Sequence, residues 1–353
     1  MTIYTAGLPA EKGSICPRAG NQPRGGYIMN MKKVNIALLG LGTVGGGTYD
    51  ILTKNRDIIL ERTGVDYEIT HIFEKYAEQL EKHGADLGLQ TLDIESIISP
   101  GSGVDVIVEA LGGMDFPVQV MTRALKNGIS VVTPNKAAVA ANYDTLKKAA
   151  DEGHAYLKFE AAVGGGIPIL TPIQEQLSCN HFTDIMGILN GTTNYILTKM
   201  LKRGQSYQDA LQGAKENGFA EPDPTADVEG IDCASKLCLL MILAMDRYVN
   251  PQQIPTKGIT DVTMEDIQAA YNRGCVIKLI AHATLNEDGF TYYVKPEEIP
   301  LDHPLASVSN EFNAIYLDGD AVGELMFYGK GAGALPTGSA IVGDIMAIMK
   351  ALQ

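Results

Sequence analysis

No two of the five cysteines, Cys16, Cys179, Cys233, Cys238 and Cys275, form a C-x-x-C pair. Cys233 and Cys238 stand five apart on an expected helix, a poor spacing for a shared metal. The six histidines contain no H-E-x-x-H arrangement. Zinc sites of the common kinds are thereby excluded. Scattered free thiols point to a reducing, cytoplasmic setting. Positive charge is also scarce. Lys and Arg number 28 against 42 Asp and Glu, a net charge of −14, whereas a nucleic-acid partner needs clustered cations. No apolar run reaches the length of a membrane span. Residues 1–30, MTIYTAGLPAEKGSICPRAGNQPRGGYIMN, lack an apolar h-region and are no secretory signal. They read as a disordered extension, or as the product of a start codon upstream of the native one. The folded chain is expected to open at Met31.

What is present is a globular composition, 45% apolar and 20% charged over 353 residues. That length suits two domains, or one large α/β domain with an insertion. Apolar strands alternate with helices in the first half: VNIALLG, DYEITHIFE, DVIVEALGG, ISVVTPNK and HAYLKFEAAVGGG. A helix, FPVQVMTRALKNG, closes at Gly128, and Pro134 starts another. This rhythm predicts an α/β fold with a doubly wound parallel sheet. After Gly166 the texture becomes α+β. A helix IPILTPIQEQL and a strand FTDIMGIL come first, then the helices NYILTKMLKRG and YQDALQGAKENG. The strands VIKLIAHATL and FTYYVKP follow, then a hairpin EFNAIYLDGDAVGELMFYG turning at DGD. LPTGSAIVGDIMAIMKAL is a closing helix.

Five stretches could carry chemistry. Gly40-Leu41-Gly42-Thr43-Val44-Gly45 is a G-x-G-x-x-G between a strand and a helix, the context of a dinucleotide site rather than an ordinary tight turn. Thr133-Pro134-Asn135-Lys136 lies at the carboxyl end of a strand, where open α/β sheets bind ligands. It could also be a plain helix start with Lys136 on the surface, although a lysine in a first helical turn is electrostatically disfavoured. Glu160 to Pro168 holds three consecutive glycines, read on spacing as a hinge, with a hard-cation loop as the alternative. Asn190-Gly191-Thr192-Thr193-Asn194 is either ordinary N-capping or a cradle for a carboxylate. In GFAEPDPTADVEGIDCASKLCLL, Asp232 and Lys236 are four apart on one helix face. A surface ion pair there would contribute little. The apolar flanks instead bury the helix and make Lys236 a candidate proton donor.

These stretches together resemble the homoserine dehydrogenases. GLGTVG, VEALGG, TPNK, EAAVGGGIPI, LNGTTNYIL, GFAEPDPTADVEGIDCASK and GKGAGALPTGSA occur in that family's order, from about Val34 to Met349. The resemblance implies a Rossmann-type doubly wound parallel sheet plus an α+β catalytic and dimerisation domain. The dinucleotide-binding part would be residues 31–165, with 331–353 returning to it, and residues 166–330 would be the catalytic part. It implies interconversion of L-homoserine and L-aspartate 4-semialdehyde with NAD or NADP, on the route to threonine, methionine and isoleucine. The implied catalytic residues are Lys236, as proton donor, and Lys136. Glu221, Asp232, Asp227, Gly191 and Thr192 would bind substrate. Gly40, Gly42, Thr43, Val44, Gly45, Glu74, Leu111, Gly112, Thr133, Asn135, Lys136 and Gly331 would bind cofactor. A sodium ion would be held by Glu160 with the carbonyls of Val163, Gly165 and Ile167, which reverses the hinge reading.

Phe219 stands where many members have Tyr, so a hydroxyl contact to substrate is missing. The chain runs to Gln353 without an ACT domain or a preceding aspartokinase domain, so a short form is expected. The implied partners are a small-molecule substrate and a second copy, as a homodimer or dimer-based tetramer. NAD is weakly favoured. Glu74 ends the second strand, where Rossmann domains select cofactor, and would repel a 2′-phosphate, although Lys75 beside it works the other way. A phosphorylating semialdehyde dehydrogenase needs a nucleophilic cysteine, and no cysteine here lies in such a motif. A non-catalytic dinucleotide sensor would not need both lysines and both acids.

Overall fold

Strands buried on both faces are apolar throughout, and the first strand follows that rule. β1 (Lys33–Leu39) sends Val34, Ile36 and Leu38 to one side and Ala37 and Leu39 to the other. The structure, a computed structural model, describes residues 33–287 and 289–353; the expectations for residues 1–30 lie outside them. β2 (Asp66–Phe73), β3 (Gln90–Thr91), β4 (Val106–Glu109), β5 (Ser130–Val132) and β6 (Leu157–Lys158) pair with β1 in the order β3-β2-β1-β4-β5-β6, all parallel. The order reverses beside β1, which places a ligand crevice at the carboxyl ends of β1 and β4. Helices Asp115–Lys126 and Lys136–Gly153 cover one face. The glycine-loop helix Thr43–Lys54 and the closing helix Ala334–Ala351 cover the other. Those last two touch closely: a Cβ on Gly47 would lie 2.3 Å from the Ala334 carbonyl oxygen.

A second sheet of five antiparallel strands runs β11-β10-β7-β8-β9. Its members are β7 (Phe182–Ile188), β8 (Cys275–Asn286), β9 (Gly289–Pro300), β10 (Phe312–Gly319) and β11 (Gly323–Lys330). One face, with Ile185, Ile315 and Leu317, joins the core that also holds the Rossmann-side helices. The opposite face, with Ile188, Ala314 and Tyr316, packs against Leu305 and Val308. Helices Gly191–Arg203 and Ile231–Met245 belong to this half, and the second is buried along most of its length. Among the described residues no helix is long and apolar enough to cross a membrane.

Four expected boundaries move. HAYLKFEAAVGGG is a strand only over Leu157–Lys158, because the backbone turns at Phe159 into a 3-10 turn, Glu160–Ala162. The helix foreseen in IPILTPIQEQL is confined to Leu170–Gln174. Pro134 does not start its helix; Asn135 caps it by accepting from the Ala138 N–H, so Lys136 is the first helical residue. Asp318 and Gly319 stay paired in β10, opposite Glu324 and Gly323, so the hairpin turns at residues 320–322 rather than at DGD.

The closing helix brings Asp344 into the core. It is buried and accepts the Glu160 N–H at 2.8 Å. Burial carries its pKa from 3.8 up to about 7, against the pull of that N–H. The folded state therefore holds the proton more tightly than the unfolded chain between roughly pH 4 and 7, and stability falls as pH rises through that window. Asp344→Asn keeps an acceptor oxygen and removes the charge. Its melting temperature should exceed that of the wild type at pH 8, by an amount reflecting ~2 kcal/mol or more, and the gap should narrow towards pH 5 and close below about pH 4. An equal shift at both pH values would show that the charge is not the cause.

Candidate active site

The glycine loop divides its work among three positions. Gly40 has φ +92°, and a Cβ there would lie 2.6 Å from the Ala110 carbonyl oxygen. Gly45 packs so closely that a Cβ would come within 2.0 Å of the Gly40 carbonyl. Gly42, by contrast, faces open space and begins the helix Thr43–Lys54 with no side-chain cap. Uncapped N–H groups at a helix start, with room in front of them, suit a pyrophosphate. Glu74, just past β2, reaches this loop and accepts from the Leu41 N–H at 2.9 Å. Lys75 is exposed and turned over the Tyr76 ring.

Across the crevice, β4 ends in the buried Glu109. Its carboxylate accepts from the Leu111 N–H at 2.9 Å and from the Thr133 hydroxyl at 2.6 Å. Burial raises its pKa, against these hydrogen bonds. The Thr133 hydroxyl in turn accepts the Asn135 N–H, and the Asn135 amide donates to the Gly113 carbonyl. Glu109 thus ties the loop after β4, with Leu111 and Gly112, to the T-P-N-K turn. That turn delivers Lys136 to the first position of its helix. The electrostatic penalty of a cation there is answered by Asp232, whose Oδ1 lies 3.0 Å from the Lys136 Nζ.

Asp232 is therefore shared. Its Oδ2 accepts from the Lys236 Nζ at 2.7 Å and from the Asn190 amide at 3.1 Å. Burial pushes the Asp232 pKa up, but Lys236 and then Lys136 outweigh it and hold the carboxyl well below the usual carboxylate range. Burial pulls the Lys236 amine down, but Asp232 more than offsets it and the net shift is upward. The pair is charged on both sides. Lys236 also donates to the Leu189 carbonyl at 2.6 Å. An ammonium has three donors, so one remains for a ligand. The Asn190 amide also donates to Asp227 at 2.8 Å, while its own oxygen caps the following helix by accepting from the Thr193 N–H. Thr192 donates to Asp227 at 3.1 Å and to the Phe219 carbonyl. Burial first, then Asp232, raises the Asp227 pKa.

Residues 168–346 match the family model for homoserine dehydrogenase, and residues 40–160 match that for the homoserine dehydrogenase NAD binding domain. A homoserine dehydrogenase of Bacillus subtilis is 41% identical over 324 residues, covering 92% of this chain and 74% of its own. The chain belongs to the homoserine dehydrogenase family. A second relative, from Corynebacterium glutamicum, is 42% identical over 318 residues, 89% of this chain and 71% of its own. The solved homoserine dehydrogenase of Thiobacillus denitrificans superposes with a TM-score of 0.87 at 37% identity, covering 91% of this chain and 74% of that one. A hyperthermophilic archaeal homoserine dehydrogenase in complex with NADPH gives 0.76 at 28% identity, covering 90% and 98%. The protein is an NAD(P)-dependent oxidoreductase acting on homoserine and aspartate 4-semialdehyde.

Within this homoserine dehydrogenase, Lys136, Lys236, Asp232, Asp227 and Thr192 form one cluster. Glu221 stays apart: it is exposed, and its carboxylate joins none of the hydrogen bonds or ion pairs among the described residues. Glu160 is a correction. Its carboxylate was expected to face an ion, but Oε1 accepts from the Ile169 and Leu170 N–H groups and Oε2 from Thr171, at 2.6 to 2.8 Å. It caps the helix Leu170–Gln174 and does not fit as a cation ligand. Among the described residues no group of three or more His, Cys, Asp or Glu side chains is placed to hold a metal. Two residues escaped sequence reasoning, Asn190 and Glu109. Both stood in quoted motifs, and an acid ending a buried strand was a usable signal for the second. Asn190→Ala removes the donor that two carboxylates share. It should destabilise the protein by about 2 kcal/mol at pH 8. The loss should be smaller near pH 5, because Asp227, with its pKa driven further up, can then take a proton; urea unfolding at both pH values measures this.

Proposed function

We propose that this homoserine dehydrogenase uses Lys236 as the proton donor to the substrate oxygen, with Lys136 adding positive charge beside it. The observation that carries this reading is the single carboxylate, Asp232, bridging both ammonium groups at 2.7 and 3.0 Å. When bound, the nicotinamide supplies the hydride that reduces the aldehyde and accepts it back in the reverse direction. As hydride reaches the aldehyde carbon, its oxygen takes a proton from the Lys236 Nζ, whose two other N–H groups stay on Leu189 and Asp232. Positive charge held beforehand beside the developing alkoxide stabilises it without reorganisation. Glu221 and Asp232 are assigned the substrate ammonium. Asp232 must then divide its oxygens among three cations, whereas Glu221 is free to face one. Asp227, Gly191 and Thr192 complete the substrate side.

Gly40, Gly42, Thr43, Val44 and Gly45 would hold the cofactor, with Glu74 for its ribose and Leu111, Gly112, Thr133, Asn135, Lys136 and Gly331 for the rest. NAD is favoured over NADP, because Glu74 already turns its carboxylate to the glycine loop while Lys75 turns away to Tyr76. An NADPH complex exists for the archaeal relative. For sodium the fit is partial. Only the carbonyls of Val163, Gly165 and Ile167 remain as ligands, and no step depends on the ion. The second sheet forms the homodimer contact: its edge strand β11 exposes Met326 (39%) and Tyr328 (53%), the latter stacked on Phe312.

Lys236→Ala should lower kcat about 100-fold or more in both directions; a change within threefold in a folded variant would remove the assignment. The raised Lys236 pKa keeps reduction active into alkaline pH, while oxidation gains as pH rises and the amine becomes able to accept a proton. Asp232→Asn withdraws the charge that raises that pKa, so the surviving activity should show both limbs moved to lower pH.

Glu74→Arg tests the cofactor preference. The ratio of kcat/KM for NAD over NADP should exceed one in the wild type and fall about tenfold or more in the variant, the effect of ~1.4 kcal/mol. A wild type favouring NADP, or an unchanged ratio in the variant, would refute it.

A further inference from the structure

Each hydrogen bond to the Glu109 carboxylate comes from a neutral donor. The residue is fully buried at the end of β4. Its Oε1 takes the Leu111 N–H and its Oε2 the Thr133 hydroxyl. Burial opposes its charge, while the Thr133 hydroxyl, the Leu111 N–H, the Asn135 side chain and the Gly112 N–H favour it. None of these is a cation. A buried carboxylate without a counter-charge costs stability unless its oxygens are hydrogen-bonded. Here each oxygen binds a different loop.

The two loops lead to different parts of the site. On one side, Ala110 presses on the glycine loop. A Cβ on Gly40 would lie 2.6 Å from its carbonyl oxygen, and one on Gly45 would lie 3.7 Å from its own Cβ. The Ala110 N–H donates to the Leu39 carbonyl at 2.8 Å, which pins this segment to β1. On the other side, the Thr133 hydroxyl accepts the Asn135 N–H at 3.0 Å. The Asn135 oxygen caps the next helix by accepting from the Ala138 N–H at 3.2 Å, and its nitrogen donates to the Gly113 carbonyl at 2.9 Å. Lys136 is the first residue of that helix. A lysine stem is flexible, so its ammonium is placed only when both ends are held. Asp232 holds the Nζ end. The Asn135 cap holds the backbone end, and Glu109 holds the cap through Thr133.

We propose that Glu109 is a positioning residue for hydride transfer: through Thr133 and Asn135 it fixes the backbone end of Lys136 relative to the glycine loop. This rests on the reading above, in which Lys136 adds positive charge beside the substrate oxygen. Glu109 is sealed from solvent and acts only through the loops it ties. The role needs a carboxylate. An N–H and a hydroxyl face it from two loops, and each needs an acceptor oxygen. Glutamine has the same shape but one oxygen, so one of the two donors loses its acceptor. Alanine releases both loops. A displacement of about 1 Å in a catalytic group can cost about 100-fold in rate, so a tie remote from the chemistry is read in kcat.

The test is a double-mutant cycle on the full-length protein, with kcat measured in both directions at saturating substrate and cofactor. Glu109→Gln should lower kcat about tenfold and Glu109→Ala up to about 100-fold, while the homoserine KM stays within about threefold. Thr133→Val cuts the relay at its middle and should cost as much as Glu109→Gln. In a Lys136→Ala background, adding Glu109→Gln should cost less than about twofold more, because the group it positions is gone. Losses that multiply in that background overturn the proposal, since they would give Glu109 a general structural role. Wild-type kcat in both Glu109 variants, or a loss confined to the homoserine KM, overturns it too. Glu109→Gln keeps the shape and removes a buried charge, so it should fold; if Glu109→Ala does not, the cycle with Glu109→Gln and Thr133→Val decides. Lys136→Ala that leaves kcat unchanged rejects the reading beneath. Lys136→Ala that lowers kcat while Glu109→Gln matches the wild type rejects this inference alone.

Discussion

One carboxylate holds two lysines, and the site depends on that arrangement. Lys136 comes from the helix after β5, and Lys236 from a buried helix of the other half of the chain. Without Asp232 the two ammonium groups would repel, and the buried Lys236 would lose its nearest counter-charge. With it, each lysine stays charged and fixed. Removing one member of a buried ion pair typically costs about 3–5 kcal/mol, because the remaining charge is uncompensated. The same contact joins the NAD binding domain to the half that holds the second sheet. Hydride transfer needs the two aligned to within a fraction of an ångström, so the charge network is also a positioning device.

The parts of this site that could be read from sequence are the local ones. The glycine loop is legible because all its requirements fall within six residues: a left-handed turn at Gly40, open space at Gly42 and close packing at Gly45. Asp232 and Lys236 are legible as neighbours because a helix brings i and i+4 together. The contact of Lys136 with Asp232 is not local, and the sequence offered only an oddity, a lysine where the helix dipole disfavours it. That oddity was a real signal whose cause lay elsewhere in the chain. Glu109 and Asn190 were harder. Asn190 looks like a helix cap and is one, through its oxygen. Its nitrogen does separate work on two carboxylates that only the fold brings near.

Where sequence reasoning misplaced a role, a backbone demand had claimed the side chain first. Glu160 sits among glycines and suggests a cation ligand. In the fold, the helix beginning at Leu170 presents three N–H groups, and the carboxylate satisfies all three. Uncapped helix N–H groups must find acceptors, and a buried carboxylate is the strongest available. That same turn ends β6 after two residues, so a stretch that reads as a long strand is mostly a connection. The hairpin follows a similar logic: DGD has the composition of a turn, but pairing across β10 and β11 extends past it.

The second sheet shows two ways of keeping a polar group in a core. Lys278 on β8 is 4% exposed and has no ion-pair partner among the described residues. Burial, then the neighbouring Lys202, lowers its pKa to about 8. It donates to the Asn194 amide oxygen and to the Val308 carbonyl, and the Asn194 nitrogen donates to the Phe312 carbonyl. A lysine held only by neutral oxygens stabilises little by itself; what it does is fix the segment from Val308 to Phe312. That segment carries the Glu311 carbonyl to Gly191 and Asn313 to Gly331. Lys278, with two of its three donors used, thus helps to hold in place the Asn313 amide, which finds no partner among the described residues. Securing that amide so firmly carries a standing cost in stability of about 1–3 kcal/mol for each unpaired atom.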